Sequence, residues 1–348
     1  MTPMNQHKSD KTPVTLIEGD GIGPEITAAL IAVFESLGRP VIWERATMGA
    51  NAFELAGEAL PDETMASLRR TGLAIKGPVQ TPLAGGFRSP LVRLRHEFQL
   101  FANLRPNRAL LAEPGRAPLD IVVVRENTEG LYAAQESYVA VGDDQRAVAV
   151  ATAYNTRKGC ERILRFAFDY AVEHGRKRVT VVHKANVLKI LSGIFLETAR
   201  DLYQGAYSGR FVMEEMIVDA CAMKLAMTPE RFDMIVTTNM FGDILSDLAA
   251  GVTGGLGMAP GANFGERLAL FEPVHGSAPD IAGKGIANPV ALLFAGALLL
   301  EHIGKAAEAS RLRAAVAAAL NEDRTRTPDL GGKANCAEFT AAVCRRLQ

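Results

Sequence analysis

Short runs of consecutive apolar residues alternate along this chain with longer stretches whose apolar positions recur at helical spacing. Residues 14–17, 73–75, 121–124, 179–182 and 234–236 are such runs, and each predicts a short buried strand. Between and after them the pattern predicts a helix over 25–37, an all-apolar buried helix over 290–300 and an alanine-rich helix over 311–320. Pro289 stands at the start of the second of these, and Gly304 near its end. Residues 324–332 read as a loop before a closing helix. The glycine-rich stretch 251–265 reads as a hinge or mobile segment between lobes. Strand-like and helix-like segments in alternation are the signature of an α/β fold. Polar residues repeatedly follow the strand-like runs: Lys76, Arg125, His183 with Lys184, and Asn239 with Asp243. In open α/β sheets ligands collect at such strand ends.

Length and composition add bounds. A chain of 348 residues is too long for one simple core and is expected to form two lobes. Its 38 basic and 39 acidic residues leave a formal net charge of −1, which gives no reason to expect nucleic acid or an anionic membrane as partner. Cys160, Cys221, Cys336 and Cys344 lie far apart with no CxxC spacing, against a zinc site or a disulfide framework. The first twelve residues are polar and carry neither a secretory core nor the look of a transit peptide. The apolar run 290–300 is too short to span a bilayer, which needs about 20 residues. A soluble, cytoplasmic protein is expected.

Three features suggest chemistry. Gly19-Asp20-Gly21-Ile22-Gly23-Pro24 follows a strand and precedes a helix, but Pro24 stands where a dinucleotide fingerprint needs its last glycine. It reads as a tight turn rather than a phosphate cradle. Arg95, Arg105 and Arg125 could converge on carboxylates, which guanidinium forks bind in pairs. Any one of them alone reads better as a surface or ion-pair residue. Asp243 and Asp247, four apart, share one face of a presumed helix, and Asp219 could complete an all-oxygen cation site suited to Mg²⁺ or Mn²⁺ rather than zinc. Ser89 before Pro90 has the form of a helix cap.

Longer strings narrow the picture. Residues 125–132 (RENTEGLY), 183–186 (HKAN), 239–247 (NMFGDILSD) and 272–283 (EPVHGSAPDIAG) occur in that order. This set resembles the isocitrate, homoisocitrate and isopropylmalate dehydrogenase family of β-decarboxylating dehydrogenases, from Val14 to about Leu347. The resemblance implies a two-lobe α/β fold with a mixed central sheet, not a Rossmann fold. Residues 1–99 and 252–348 would form the large, cofactor-side lobe. Residues 100–251 would form a small lobe with the dimer contacts and metal ligands. It implies a homodimer, which could pair further into a tetramer, whose sites take Lys184 and Asp219 from the partner subunit.

By the same resemblance Tyr132 and Lys184 are the catalytic acid and base. Ser89, Arg95, Arg105, Arg125 and Asn186 contact the substrate, and Asp219, Asp243 and Asp247 hold Mg²⁺ or Mn²⁺. Thr81, Glu272, His275, Gly276, Asp280, Ile281 and Asn288 contact the cofactor. Asp280-Ile281 stands where NADP-using relatives carry a lysine–tyrosine pair. A carboxylate there accepts from ribose hydroxyls and repels a 2′-phosphate, which implies NAD. Lys284, close by, is the residue that would soften that preference.

Ser89 and the RENTEGLY string look like the tricarboxylate branch, while Leu91 replaces an asparagine usual in isocitrate enzymes and looks like homoisocitrate enzymes. Arg88 or Arg93 would then reach a carboxylate one methylene further out. The implied reaction is oxidation and decarboxylation of homoisocitrate to 2-oxoadipate, with isocitrate to 2-oxoglutarate as the alternative and 3-isopropylmalate behind both. A catalytically silent regulatory subunit would be expected to lack some of Tyr132, Lys184, Asp219, Asp243 and Asp247. All five are present.

Overall fold

The computed structural model describes residues 11–80, 89–111 and 118–348. The expectations placed on the first ten residues, on Thr81 and on Arg88 lie outside them. The chain divides into two compact units, residues 1–90 with 267–348 and residues 91–266. These boundaries fall at 90/91 and 266/267, where the sequence placed them at 99/100 and 251/252.

The first unit opens with β1 (Thr12–Ile17), α1 (Gly23–Ser36), β2 (Val41–Ala46), α2 (Ala50–Ala56), α3 (Asp62–Thr71) and β3 (Leu73–Lys76). The chain enters the second unit through α4 (Pro90–Glu97), β4 (Ala102–Arg108), β5 (Asp120–Glu126), β6 (Gln135–Val141) and β7 (Asp144–Thr152). It continues with α5 (Arg157–Glu173), β8 (Arg178–His183), α6 (Gly193–Leu202), β9 (Val212–Ile217), α7 (Val218–Met227), β10 (Met234–Thr237), α8 (Asn239–Thr253) and β11 (Pro260–Phe264). It returns to the first unit with β12 (Ala269–Pro273), α9 (Val290–His302), α10 (Ala306–Asn321) and α11 (Cys336–Leu347).

The strands of the first unit run in the order β2-β1-β3-β12, all parallel. The apolar run in β1 is buried throughout, and so is α9 from Val290 to Leu300, which explains why neither shows a polar face. The turn before α1 is tight. A Cβ on Gly21, which has φ of 59°, would lie 2.0 Å from the Ser277 carbonyl. Buried Asp20 ties three segments together by accepting from the backbone N–H groups of Ala50, Asn51 and Gln80.

The second unit has the order β11-β4-β5-β10-β8-β9. β11/β4 and β4/β5 are antiparallel, and β5, β10, β8 and β9 are parallel, so the sheet is mixed as expected. Ile121, Val123, Val182, Ile235 and Leu245 pack in one buried cluster. The register aligns Arg125 with Thr237, Thr237 with Val182, and His183 with Ile217. The carboxyl ends of four parallel strands therefore deliver Arg125, Asn239, Lys184 and Asp219 to the same edge of one sheet. β6 and β7 form a separate two-stranded ladder, exposed along both strands.

The hinge expected over 251–265 is corrected. α8 runs through Thr253, and β11 adds Pro260–Phe264 to the sheet against β4. Asn263 is fully buried and accepts from Asn103 at 2.8 Å and Asn127 at 3.1 Å. A Cβ on Gly265 would lie 2.3 Å from the Phe98 carbonyl, so the glycine there permits close packing.

Candidate active site

Arg125 ends the apolar run of β5 and is buried, at 2% exposure, against the first turns of α8. Its close approach requires Gly242, where a Cβ would sit 2.7 Å from the arginine's own Cβ. Arg125 donates from Nε and Nη2 to Asn239 Oδ1, at 3.1 and 2.8 Å, and from Nη1 to Asp243 Oδ1. The Asn239 amide is oriented for this because its Nδ2 donates to the Glu129 carbonyl at 2.9 Å. Arg105, on β4, donates from Nη1 to Ser246 Oγ at 2.6 Å and to Asp247 Oδ1 at 3.2 Å, and lies 3.4 Å from Asp243. Its Nε donates to Asn103 Oδ1 at 3.1 Å.

Arg95, on α4, joins these two through its charge. Burial, then repulsion from Arg105 and Arg95, pushes the Arg125 guanidinium down to about 9, with Asp243 and Tyr132 opposing. Three cations held this closely, one of them out of water, favour an anion among them. The Asp247 carboxyl is pushed above its ordinary range by burial; Arg105 opposes this and Asp243 adds to it. Tyr132, half-exposed in the short turn Leu131–Ala133, lies with its ring 5.6 Å from the Arg125 guanidinium. Partial burial, then Asp243 by charge and hydrogen bond, raises its phenol. The structure thus brings Arg95, Arg105, Arg125, Tyr132, Asp243 and Asp247 together.

Lys184 and Asp219 form a second group. Lys184 Nζ donates to Asp219 Oδ1, and the Lys184 backbone N–H donates to Ser192 Oγ at 2.8 Å. That lysine holds the Asp219 carboxyl below its usual range. Among the described residues of one chain, no three His, Cys, Asp or Glu side chains gather as a metal site. Asn186 is exposed in the turn after Lys184. Ser89 directly precedes α4, and Arg93 is exposed on that helix.

In the first unit, Glu272 ends β12 in a buried ion pair with Lys76 at 2.7 Å. The His275 imidazole is pushed below its ordinary value by burial first and then by Lys76, which favours its neutral form; the Gly276 carbonyl and Asp329 oppose this. Among the described residues its buried Nε2 has no hydrogen-bond partner, while Nδ1 lies 3.0 Å from the Gly276 carbonyl. Gly276 and Asp280 are exposed, and Ile281 is half-buried. Asn288 accepts from the Val290 N–H at the start of α9 and donates to Asp329 at 2.9 Å.

Asn103, Asn263 and Ser246 were not singled out by sequence reasoning, and Asn239 was singled out only as a polar residue at a strand end, without a role. Asn239 and Ser246 lie within the NMFGDILSD string, at the N-terminus of α8 and one turn beyond Asp243, so helical spacing from Asp243 was the available signal.

A family model described as isocitrate/isopropylmalate dehydrogenase matches residues 13–343. The chain belongs to the isocitrate/isopropylmalate dehydrogenase family. Among curated relatives, this dehydrogenase is 44% identical to the isocitrate/homoisocitrate dehydrogenase of Thermus thermophilus over 96% of this chain and 98% of that one. It is 45% identical to the 3-isopropylmalate dehydrogenase of Archaeoglobus fulgidus, over 96% and 99%. It is 40% identical to the alpha subunit of the mitochondrial NAD isocitrate dehydrogenase of Homo sapiens, over 96% and 90%. The solved isocitrate dehydrogenase of Methylococcus capsulatus matches the fold with a TM-score of 0.92 and 48% identity, over 97% and 99%. Among the described residues no helix is long and apolar enough to cross a membrane.

Proposed function

We propose that this dehydrogenase catalyses the NAD-dependent oxidative decarboxylation of a 2-hydroxy tricarboxylate, preferring homoisocitrate and also accepting isocitrate. The observation that carries this reading is the convergence of Arg95, Arg105 and Arg125 beside Asp243 and Asp247. Charge supports a polycarboxylate. The three arginines balance Asp219, Asp243 and Asp247, so a bound divalent ion would leave a surplus of two positive charges for substrate carboxylates to neutralise.

The donor set fits a hard divalent cation such as Mg²⁺ or Mn²⁺. Asp243 and Asp247 offer oxygens one helical turn apart, and their mutual repulsion favours a cation. Asp219 of the partner subunit would supply the third carboxylate. The NAD fit rests on the unpartnered, buried His275 Nε2 and the exposed Asp280 carboxylate in the first unit, the cofactor side. Ile281, Gly276 and Asn288 would complete that side, with Glu272 held by Lys76. When bound, the ion would supply Lewis-acid polarisation of the substrate's hydroxyl oxygen and NAD would supply the hydride acceptor.

The chain's own residues do the rest. The arginines fix the substrate carboxylates, and Asn239 and Ser246 fix the arginines. Lys184 of the partner subunit takes the hydroxyl proton. After carbon dioxide leaves, the Tyr132 phenol, kept protonated by burial and Asp243, returns a proton to carbon.

A homodimer with shared sites is part of this reading, and two observations support it. Lys184 and Asp219 pair with each other in one chain. The β6–β7 ladder exposes Tyr138, Val139, Val141, Val148 and Val150, and a lone two-stranded ladder is marginal in water without something to pack on. Isocitrate as the principal substrate is a second reading, favoured by the 48% identity to a solved isocitrate dehydrogenase. NADH formation from homoisocitrate, isocitrate and 3-isopropylmalate, each with NAD and Mg²⁺, tests both. Turnover of the two tricarboxylates, with homoisocitrate ahead and all activity lost on chelation, is expected. Activity on 3-isopropylmalate alone would defeat the proposal.

A further inference from the structure

Within the first unit, a recess of about 590 Å³ is lined by Arg324, Arg326, Lys333 and Arg345, with Thr325 and a single acid, Glu338. None of these residues belongs to the candidate active site. The acid is already engaged: Glu338 accepts from the Asn335 N–H at 2.9 Å in the capping box that starts α11. The acids beside the recess are engaged too. Glu322 and Asp323 both pair with Arg346, and Asp323 feels Arg345 only through charge. Among the described residues, Arg324, Arg326, Lys333 and Arg345 have no carboxylate within ion-pair distance. Other arginines of this unit do pair, as Arg45 does with Glu18 at 2.6 Å and Arg70 with Glu44.

Three of the cations stand on a loop whose backbone is pinned, and Arg345 stands on α11. Ala334 N–H donates to the Arg326 carbonyl at 3.0 Å, and Gly332 N–H to the Thr327 carbonyl at 3.0 Å. Arg326 Nε donates to the Leu320 carbonyl at 3.0 Å, which leaves its two terminal nitrogens for a ligand. A ligand that meets Arg326 already oriented loses less freedom on binding. The volume lies in the usual range for small-molecule sites, roughly 300–1,000 Å³. A monocarboxylate would leave most of the positive charge unmatched. Adjacent phosphate groups offer enough charge and enough acceptors for two or three guanidinium forks and an ammonium.

We infer that this recess binds a small anion carrying two linked phosphate groups, with inorganic pyrophosphate as the minimal form. The probe is pyrophosphate, titrated calorimetrically into the full chain at low ionic strength and without divalent metal. Saturating isocitrate is present, so that the arginine cluster is occupied, and NAD, itself a diphosphate, is left out. One site per chain is expected to remain under these conditions and to weaken as salt is added. Arg324→Gln with Arg345→Gln should weaken it at least about tenfold. Lys333→Gln should act in the same direction, and Lys333→Arg should keep binding within about threefold. All three side chains are exposed, and circular dichroism checks that each variant is folded. Should one variant fail to fold, the other still decides. Loss of the signal on adding isocitrate, or unchanged affinity in the folded glutamine variants, would overturn the inference.

Discussion

Lys76 at the end of β3 and Arg125 near the end of β5 are both sealed from solvent, with side chains 3% and 2% exposed. Lys76 meets one carboxylate, Glu272, at 2.7 Å, and the pair is electrically closed. Arg125 meets Asp243 but also stands beside Arg105 and Arg95, and burial with their repulsion pushes it down to about 9. A buried charge balanced within the chain holds the fold together. A buried charge left in surplus is complete only when something else arrives. The first arrangement predicts a stability residue, the second a binding residue, and substitutions can separate them.

The largest effect is expected at the surplus cation. Arg125→Lys keeps the charge but loses the fork that engages Asn239 with two nitrogens and Asp243 with a third. We expect kcat/KM to fall about a thousandfold while the melting temperature moves little. If stability collapses and the residual folded fraction turns over normally, Arg125 is structural and the contrast with Lys76 disappears. Lys76→Met should do the reverse. It leaves the Glu272 carboxylate buried without its lysine, at a cost of about 3–5 kcal/mol by denaturant unfolding. Pairing it with Glu272→Leu should restore most of the loss, because both charges then go together. A double variant no more stable than the single one would show that more than the ion pair was broken.

The same logic extends to apolar surface. Val139 and Val148 face each other across the β6–β7 ladder and are both exposed, a surplus of apolar rather than charged groups. Val139→Lys with Val148→Glu keeps the ladder through an opposite-charge cross-strand pair but removes its apolar face. In sedimentation, the dissociation constant of the proposed dimer should rise about a hundredfold, and activity should fall with dilution. An assembly unchanged by this substitution would mean that the ladder waits for something other than a second copy.

What was legible in the sequence follows the same division. Strands buried on both faces, such as 121–124 within β5, announce themselves as apolar runs, and α9 does so as an apolar helix. The β6–β7 ladder gave no such signal, because alternation comes from one buried face and this ladder has none within a single chain. β11 hid in a glycine-rich stretch where Gly265 serves close packing while Gly251 and Gly255 face open space, and glycine marks tight contact and looseness alike. At the site, the charged residues stood out through motif strings, while Ser246 and Asn103 did not and Asn239 stood out only as a polar residue at a strand end. Their work of orienting guanidinium groups appears only once strands and helix are brought together.

The smallest effect is expected at the edge of the arginine cluster, and it sharpens which anion completes the surplus. Leu91 lies one turn before Arg95 on α4, so the two share a helix face, and Leu91 is half-buried there. An apolar side chain at that place offers no donor to a third carboxylate on a short arm, and leaves room for an arm one methylene longer. Leu91→Asn adds an amide donor without changing charge. The ratio of kcat/KM for isocitrate over homoisocitrate should rise about tenfold, the scale at which one methylene or one hydrogen bond is distinguished. A rise confined to kcat/KM for isocitrate, with homoisocitrate nearly unchanged, would place the added donor on the third carboxylate. An equal change for both substrates would put Leu91 outside the pocket and leave Arg95, Arg105 and Arg125 to select only the part that the two acids share.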